Sequence, residues 1–346
     1  MIPHSKPTID EDDIKATINT LKSGMIASGE MVKELERKLC EYIGGVKAKA
    51  TCTGRSALVL GLLTLGIGEG DEVILPTYVC HSVMDAVAFV GANPVIVDIG
   101  DDYCIDPEEV KRHITSKTKA IIVVHIFGIS AKIKELKEIA EENSLYLIED
   151  CAQAIGGDIS GRKLGSFGDF SIFSFQATKV IATGEGGMCL VNNFKILENF
   201  EKVIKSKGEF FQMSDIQASL GVNQLNKLDD FIEKRRKIAK KYMELLNGFP
   251  LIYVPVEEEN KSIFFRFPVR VKKDFCFDSL RKTMESYRIH IRKGVDKMLH
   301  QIVEVGNKCP NADLIFKETI SLPIYPSMKL SDLYSVVSKI KQFLGE

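Results

Sequence analysis

Between residues 71 and 150 the chain alternates short, continuous apolar runs with longer amphipathic stretches, and no other feature constrains its fold as strongly. Asp71–Pro76, Pro94–Asp98, Ala120–Ile126 and Leu145–Asp150 read as strands. Ser82–Val90, Pro107–Ile114 and Lys132–Glu142 read as the helices between them, the last with Ile133, Leu136 and Ile139 on one face. A strand that is apolar throughout must be covered on both sides, and intervening helices supply that cover. The expected fold class is therefore α/β, a mainly parallel sheet flanked by helices. In such sheets ligands sit beyond the carboxyl ends of the strands, so residues just after apolar runs are the candidates for function.

Two further apolar runs, Phe170–Phe175 and Met188–Val191, follow with short connections. Residues 214–246 read as one long helix or two in series, ending at Gly248-Phe249-Pro250. Beyond them Phe264–Val271 alternates as a half-exposed strand would, and 277–287 and 331–344 read as helices. The chain is thus expected to divide into a large domain, 1–240, and a smaller C-terminal α+β domain, 241–346.

Charge and composition exclude several roles. With 46 basic and 47 acidic side chains there is no general attraction to nucleic acid or anionic membrane, and neither is expected as a partner. The longest apolar stretches, Ala57–Ile67 and Ala120–Ile129, fall short of the ~20 residues of a membrane helix. The N-terminus has no secretory h-region, so a cytoplasmic location with reduced thiols is expected. The eight cysteines form no CxxC and no tight cluster with the six histidines, so no metal site is expected. Gly66-Ile67-Gly68-Glu69-Gly70 looks like a dinucleotide fingerprint but precedes a strand instead of following one, and reads as a turn.

The chemistry concentrates in residues 148–187. Asp150 ends a buried apolar run, and Lys179 lies in a polar loop with Ser174 before it and Gly184, Gly186 and Gly187 after it. As a bare pair, Asp150 and Lys179 could be an ordinary ion pair. With their surroundings they suit pyridoxal phosphate: a lysine for a Schiff base, a hydroxyl for the phosphate, and glycines for close backbone approach. The carboxylate would keep a pyridine nitrogen protonated.

On these residues the chain resembles the DegT/StrS-type sugar-nucleotide aminotransferases, pyridoxal-phosphate enzymes of fold type I. The resemblance extends through Ser23-Gly24-Met25-Ile26 with Gly29, Thr53-Gly54-Arg55-Ser56-Ala57-Leu58 and Gly70-Asp71-Glu72-Val73. It continues in Met213-Ser214-Asp215-Ile216-Gln217-Ala218 and Ser321-Leu322-Pro323-Ile324-Tyr325-Pro326. It implies that Lys179 binds the cofactor covalently and then shuttles a proton, and that Asp150 pairs with the pyridinium nitrogen. It places Gln153 beside the ring, Ser174 on the phosphate, and Gly54, Arg55 and Ser56 at a helix start whose amides cradle that phosphate. It also implies a homodimer with shared active sites, a nucleotide-linked keto sugar, and an amino-acid donor such as L-glutamate. A dehydratase branch of the family carries histidine at the lysine position, and Lys179 argues against it. A non-catalytic pyridoxal-phosphate-binding regulator and an aminotransferase for a non-nucleotide keto substrate are the alternatives.

The departures from the family pattern carry expectations of their own. Thr53-Gly54-Arg55 stands where Ser-Gly-Thr is usual. Cys80 occupies the place of an aromatic that stacks on the cofactor, leaving either His81 or Tyr78 to take over or the ring more loosely held. Phe210 replaces an asparagine that reaches the partner subunit's phosphate, and Arg55 is the expected substitute donor. The chain is also shorter than usual between Gly187 and Met213. On the substrate side Arg235-Arg236 reads as a solvated helix face. Arg288, His290 and Arg292 alternate like an edge strand, which either reaches a diphosphate or the donor's carboxylates or is simply an exposed basic edge.

Overall fold

A computed structural model of the chain describes residues 1–253, 262–272, 274–303 and 308–345. The apolar runs form a seven-stranded sheet from β1 (Lys47–Thr51), β2 (Glu72–Pro76), β3 (Asn93–Val97), β4 (Thr118–Val124), β5 (Tyr146–Asp150), β8 (Phe170–Ser174) and β9 (Gly187–Val191), in the order β1-β9-β8-β5-β4-β2-β3. A hairpin of two-residue strands, β6 (Asp158–Ile159) and β7 (Arg162–Lys163), stands apart from it. The strands β3, β2, β4, β5 and β8 are parallel, and only β9 runs against its neighbours β8 and β1. The side chains of Val73–Leu75, Ile121–Val123 and Met188–Val191 are fully buried, as continuous apolar runs require.

The cover comes from α1 (Glu11–Ser23), α2 (Glu30–Ile43), α3 (Gly54–Thr64), α4 (His81–Phe89), α5 (Pro107–His113), α6 (Ile133–Glu142), α7 (Leu197–Lys207) and α8 (Asp215–Asn226). The helix α3 lies so close to the sheet that a Cβ on Gly61 would meet the Phe170 ring at 2.5 Å. The glycines of 66–70 form a turn: Gly66 and Gly70 have φ of 71° and 88°, and the Asp71 carboxylate accepts from the Gly68 amide.

Residues 214–246 form two helices, α8 and α9 (Leu228–Leu245), parted at Lys227. The second belongs to both halves of the molecule. Leu228, Phe231 and Ile232 join the core around the large sheet, whereas Ile238, Ala239 and Tyr242 join a second core. That second core is built on a three-stranded antiparallel sheet of β10 (Leu251–Tyr253), β11 (Phe267–Val271) and β12 (Thr319–Leu322), with α10 (Phe277–Ser286) and α12 (Leu330–Leu344). The division is not a single cut, because Ile2 also packs into the second core and bridges Ile289. Conversely, α11 (Pro310–Glu318) buries Ala312 and Ile315 in the first.

One strand differs from its sequence pattern. The strand β11 begins at Phe267 and is buried at every position, not half-exposed. It is the central strand of its sheet: Phe267, Val269 and Val271 face the second core. Arg270 on the opposite side is covered by ion pairs to Glu318 at 2.8 Å and Asp101 at 3.2 Å.

Candidate active site

The strands β5 and β8 are parallel neighbours, so their carboxyl ends lie side by side, and polar residues gather there. Asp150 is the last residue of β5 and is almost wholly buried. Its Oδ1 accepts from the Ala152 amide at 2.9 Å. Burial raises the pKa of its carboxyl, against the pull of that amide and of the Lys179 charge.

Lys179 sits in the loop between β8 and β9, which is closed on itself by Phe175 N–H to Gly186 O (2.9 Å), Thr183 N–H to Phe175 O (2.8 Å) and Ala177 N–H to Gly184 O (2.8 Å). The amide oxygen of Gln176 takes both the backbone and hydroxyl donors of Thr178, fixing the turn that ends in Lys179. Its ammonium faces the Phe265 ring 5.1 Å from the centroid. Desolvation brings it down to about 8, although Asp150 pulls the other way. A lysine near 8 is partly neutral at mild pH, which is the state a nucleophile and proton carrier needs.

Beside this pair three segments are pressed together. A Cβ on Gly187 would lie 2.4 Å from the Thr53 carbonyl carbon, and one on Gly54 2.9 Å from the Ser174 Cβ. The start of α3 therefore abuts the end of β8. The Thr53 hydroxyl caps the Ser56 amide at 3.0 Å and binds the Ser56 hydroxyl at 2.9 Å, so both polar groups of Ser56 are engaged. The Gly54 and Arg55 amides and the Ser174 hydroxyl have no hydrogen-bond partner among the described residues. Two unpaired helix-start amides beside a free hydroxyl form a seat for a phosphate.

Gln153 spends its side-chain oxygen on the amide of Phe127 (2.9 Å), a residue at φ 58°, and its NH2 group has no protein partner among the described residues. Behind Asp150, the Ala131 amide donates to His125 Nδ1, so the ring proton is on Nε2 and donates to Glu149 at 3.1 Å. Glu149 also accepts from the amides of Gly165, Phe167 and Gly168. His125, Glu149 and Cys151 offer ligand atoms within 4.8 Å of one another, yet both histidine nitrogens and both carboxylate oxygens are already bonded. That trio braces the β5 end and has no open donor set for a metal.

These residues fit pyridoxal phosphate: a buried carboxylate and a desolvated lysine face one cleft, with an anion seat alongside. Residues 7–341 match the family model described as the DegT/DnrJ/EryC1/StrS aminotransferase family. The chain belongs to that family. It is similar to the GDP-perosamine synthase of Vibrio cholerae, 35% identical over 77% of this chain and 76% of that one. It is also similar to the GDP-perosamine synthase of Escherichia coli O157:H7, 31% identical over 100% and 99%. Among solved structures it matches the PLP form of Spr1654 from Streptococcus pneumoniae, 27% identical, with a TM-score of 0.92 over 99% and 98% of the two chains. It is a pyridoxal-phosphate-dependent aminotransferase of fold type I.

Several expectations about this DegT/DnrJ/EryC1/StrS aminotransferase change at the level of side chains. Tyr78 does not face the cleft. It is fully buried among Tyr103, Phe127 and Phe316, with ring centroids 5.6, 6.2 and 6.4 Å away. His81 opens α4 with an exposed ring, its Nε2 3.7 Å from Asp85. The guanidinium of Arg55 reaches α4 as well, donating to Ser82 Oγ at 3.1 Å and pairing with Asp85 at 3.3 Å. Its charge is committed to that helix. Phe210 is exposed, while Phe211 turns inward and its carbonyl accepts from the Cys52 amide at 2.8 Å.

Arg235 is not on a solvated face: it is 1% exposed, and its Nη1 binds the carbonyls of Phe265 (3.1 Å), Phe264 and Ile324 (both 3.2 Å). Arg236 lies at the same end and donates to the Ser262 carbonyl. Sequence reasoning missed Phe265, which packs in the first core and faces the Lys179 ammonium, and Arg266 beside it. The available signal was a charged residue interrupting the apolar run Phe264-Phe265-Arg266-Phe267.

Proposed function

We propose that this aminotransferase moves an amino group from L-glutamate to the keto carbon of a nucleotide-linked sugar, in the cytoplasm, as a homodimer whose two sites are shared. The observation that carries the reading is Lys179 set in one cleft with Asp150, beside the unpaired amides of Gly54 and Arg55. The names of the perosamine synthases, which specify a GDP-linked amino sugar, support the substrate class. Exposed apolar side chains at Met25, Ile26 and Phe210 support association of two copies. Balanced charge, and the lack of any helix among the described residues long and apolar enough to cross a membrane, support a small-molecule substrate without nucleic-acid or membrane partners.

When bound, pyridoxal phosphate supplies an electron sink for the carbon that loses its proton. Asp150 keeps a proton on the ring nitrogen through charge and hydrogen bonding. The Nζ of Lys179 takes the proton from the donor carbon and returns one on the other side of the transfer, and its pKa near 8 serves both directions. The Gly54 and Arg55 amides and Ser174 Oγ hold the phosphate, and the free NH2 of Gln153 orients the ring. The Phe265 ring shields the Lys179 ammonium from water.

The test is a half-reaction. Purified protein loaded with cofactor absorbs visible light through its lysine-bound form, and L-glutamate is expected to bleach that band. A keto-sugar nucleotide should then restore it, and Lys179→Ala should never show it. A coloured protein that no amino donor bleaches would refute transamination.

A further inference from the structure

Two strained turns meet beside Lys179. Phe127 (φ 58°) and Phe264 (φ 49°) both have left-handed backbone, which a bulky residue adopts at a cost and keeps only where its surroundings fix it. The first follows β4 and the second precedes β11, so the two turns come from different sheets. Their neighbours bond to each other, the Ile263 amide donating to the Gly128 carbonyl at 3.2 Å. Gly128, at φ 82°, leaves no room for a side chain in that contact. A Cβ on it would lie 2.4 Å from Ile263 Cγ1, and 3.2 Å from both the Phe265 amide nitrogen and the Gln153 carbonyl oxygen.

Residues 262–265 are tied down along their whole length. The Phe264 amide donates to the Ser262 hydroxyl at 3.0 Å, and the Ser262 carbonyl accepts from Arg236 at 3.2 Å. The Nη1 of Arg235 donates to the Phe264 and Phe265 carbonyls at 3.2 and 3.1 Å. Across the contact, the Phe127 amide is engaged by the side-chain oxygen of Gln153. What this fixing delivers is one ring. Phe265 is 4% exposed, and the Nζ of Lys179 lies over its ring, 5.1 Å from the centroid.

That ring acts on the amine in two opposed ways. An aromatic face attracts an ammonium, but 5.1 Å is near the ~6 Å limit of that attraction. The ring also excludes water, which disfavours the charged form. Burial is the largest influence on Lys179 and lowers its pKa. Of the titratable and charged groups around it, Asp150 and Cys80 favour the ammonium and Arg266 opposes it. Exclusion of water therefore outweighs the pull of Asp150, and Phe265 is the part of that exclusion which the two turns hold in place.

We propose that the paired turns are a positioning device for Lys179, acting through Phe265, whose ring keeps the amine dry and so able both to take and to give a proton. Phe265 is then a positioning residue of the reaction. The assignment rests on the reading above that Lys179 is the reacting amine.

The pH at which Lys179 is half neutral tests it. In the full chain without cofactor, trinitrobenzenesulfonate reacts with neutral amines, and mass spectrometry of the Lys179 peptide gives the labelling rate at each pH. The midpoint is the reading, because a smaller side chain also admits the reagent faster. In wild type it is expected at about 8. Phe265→Ala should raise it by about one pH unit, which leaves about fivefold less neutral amine at pH 8. Phe265→Leu, which stays apolar, should recover most of that change. Gly128→Ala, which pushes on Ile263 and on the Phe265 amide, should raise it by about half a unit. A wild-type midpoint like that of ordinary lysine would overturn the proposal. So would a midpoint that holds within about 0.2 unit in Phe265→Ala and Gly128→Ala, with Gly128→Ala deciding if Phe265→Ala does not fold. A midpoint that moves with Phe265, in a protein whose colour no amino donor bleaches, would refute the donor reading and leave the positioning role standing.

Discussion

The Nη1 of Arg235 donates at 3.1 Å to the carbonyl of Phe265, whose ring faces the Lys179 ammonium. A helix that spans both cores thus anchors the segment that packs over Lys179. Arg235→Ala leaves a cavity and three carbonyls without a donor, an expected cost of about 3–5 kcal/mol. Urea unfolding should show the lower midpoint. A loss under about 1 kcal/mol would mean that the guanidinium does not hold the segment.

The Lys179 charge sets a pH dependence. Its pKa is about 8 in the folded chain against 10.5 for ordinary lysine. Between those values the unfolded chain binds more proton, so this group adds stability as pH rises from about 8 to about 10.5 and adds none below. In cofactor-free protein the unfolding free energy of wild type relative to Lys179→Met should rise across that window by at most about 3 kcal/mol. Curves that stay parallel would show that the lysine is not desolvated.

Gly187 allows β9 to lie against Thr53. Alanine there would put a Cβ 2.4 Å from the Thr53 carbonyl carbon, and backbone cannot swing aside as a flexible side chain can. Gly187→Ala should cost about 1–3 kcal/mol and weaken cofactor binding about tenfold, because the start of α3 carries the phosphate seat. Equilibrium dialysis against pyridoxal phosphate measures the second effect, and unchanged affinity would separate the seat from this contact.

Tyr78 hides a hydroxyl with no hydrogen-bond partner, against a glycine whose Cβ would lie 2.2 Å from it. Removing that oxygen should be neutral or stabilise by about 1 kcal/mol, so Tyr78→Phe is expected to melt no lower than wild type with kcat unchanged. A large drop in activity would show that Tyr78 reaches the cofactor after all.

The alternation of apolar runs determined the parallel sheet, its helices and the place of Asp150 and Lys179 at and after the ends of β5 and β8, because burial on both faces leaves a period that survives in one dimension. Asp150 and Lys179 were legible for the same reason: each follows a run whose end the pattern marks. Only the tertiary structure decided which polar groups near them were free. Arg55 gives its charge to Asp85 and Tyr78 turns into an aromatic core, both through contacts with residues that local sequence does not bring together, whereas Ser56 loses its amide to the Thr53 hydroxyl only three residues away. Long-range contacts likewise decide Arg235 and Phe265. A helix periodicity leaves a guanidinium looking solvated until a distant segment, Phe264–Phe265, folds over it, and a phenylalanine within an apolar run shows no purpose until Lys179 lies across its ring. Local pattern records where a side chain can be buried, and long-range packing settles which partner meets it there.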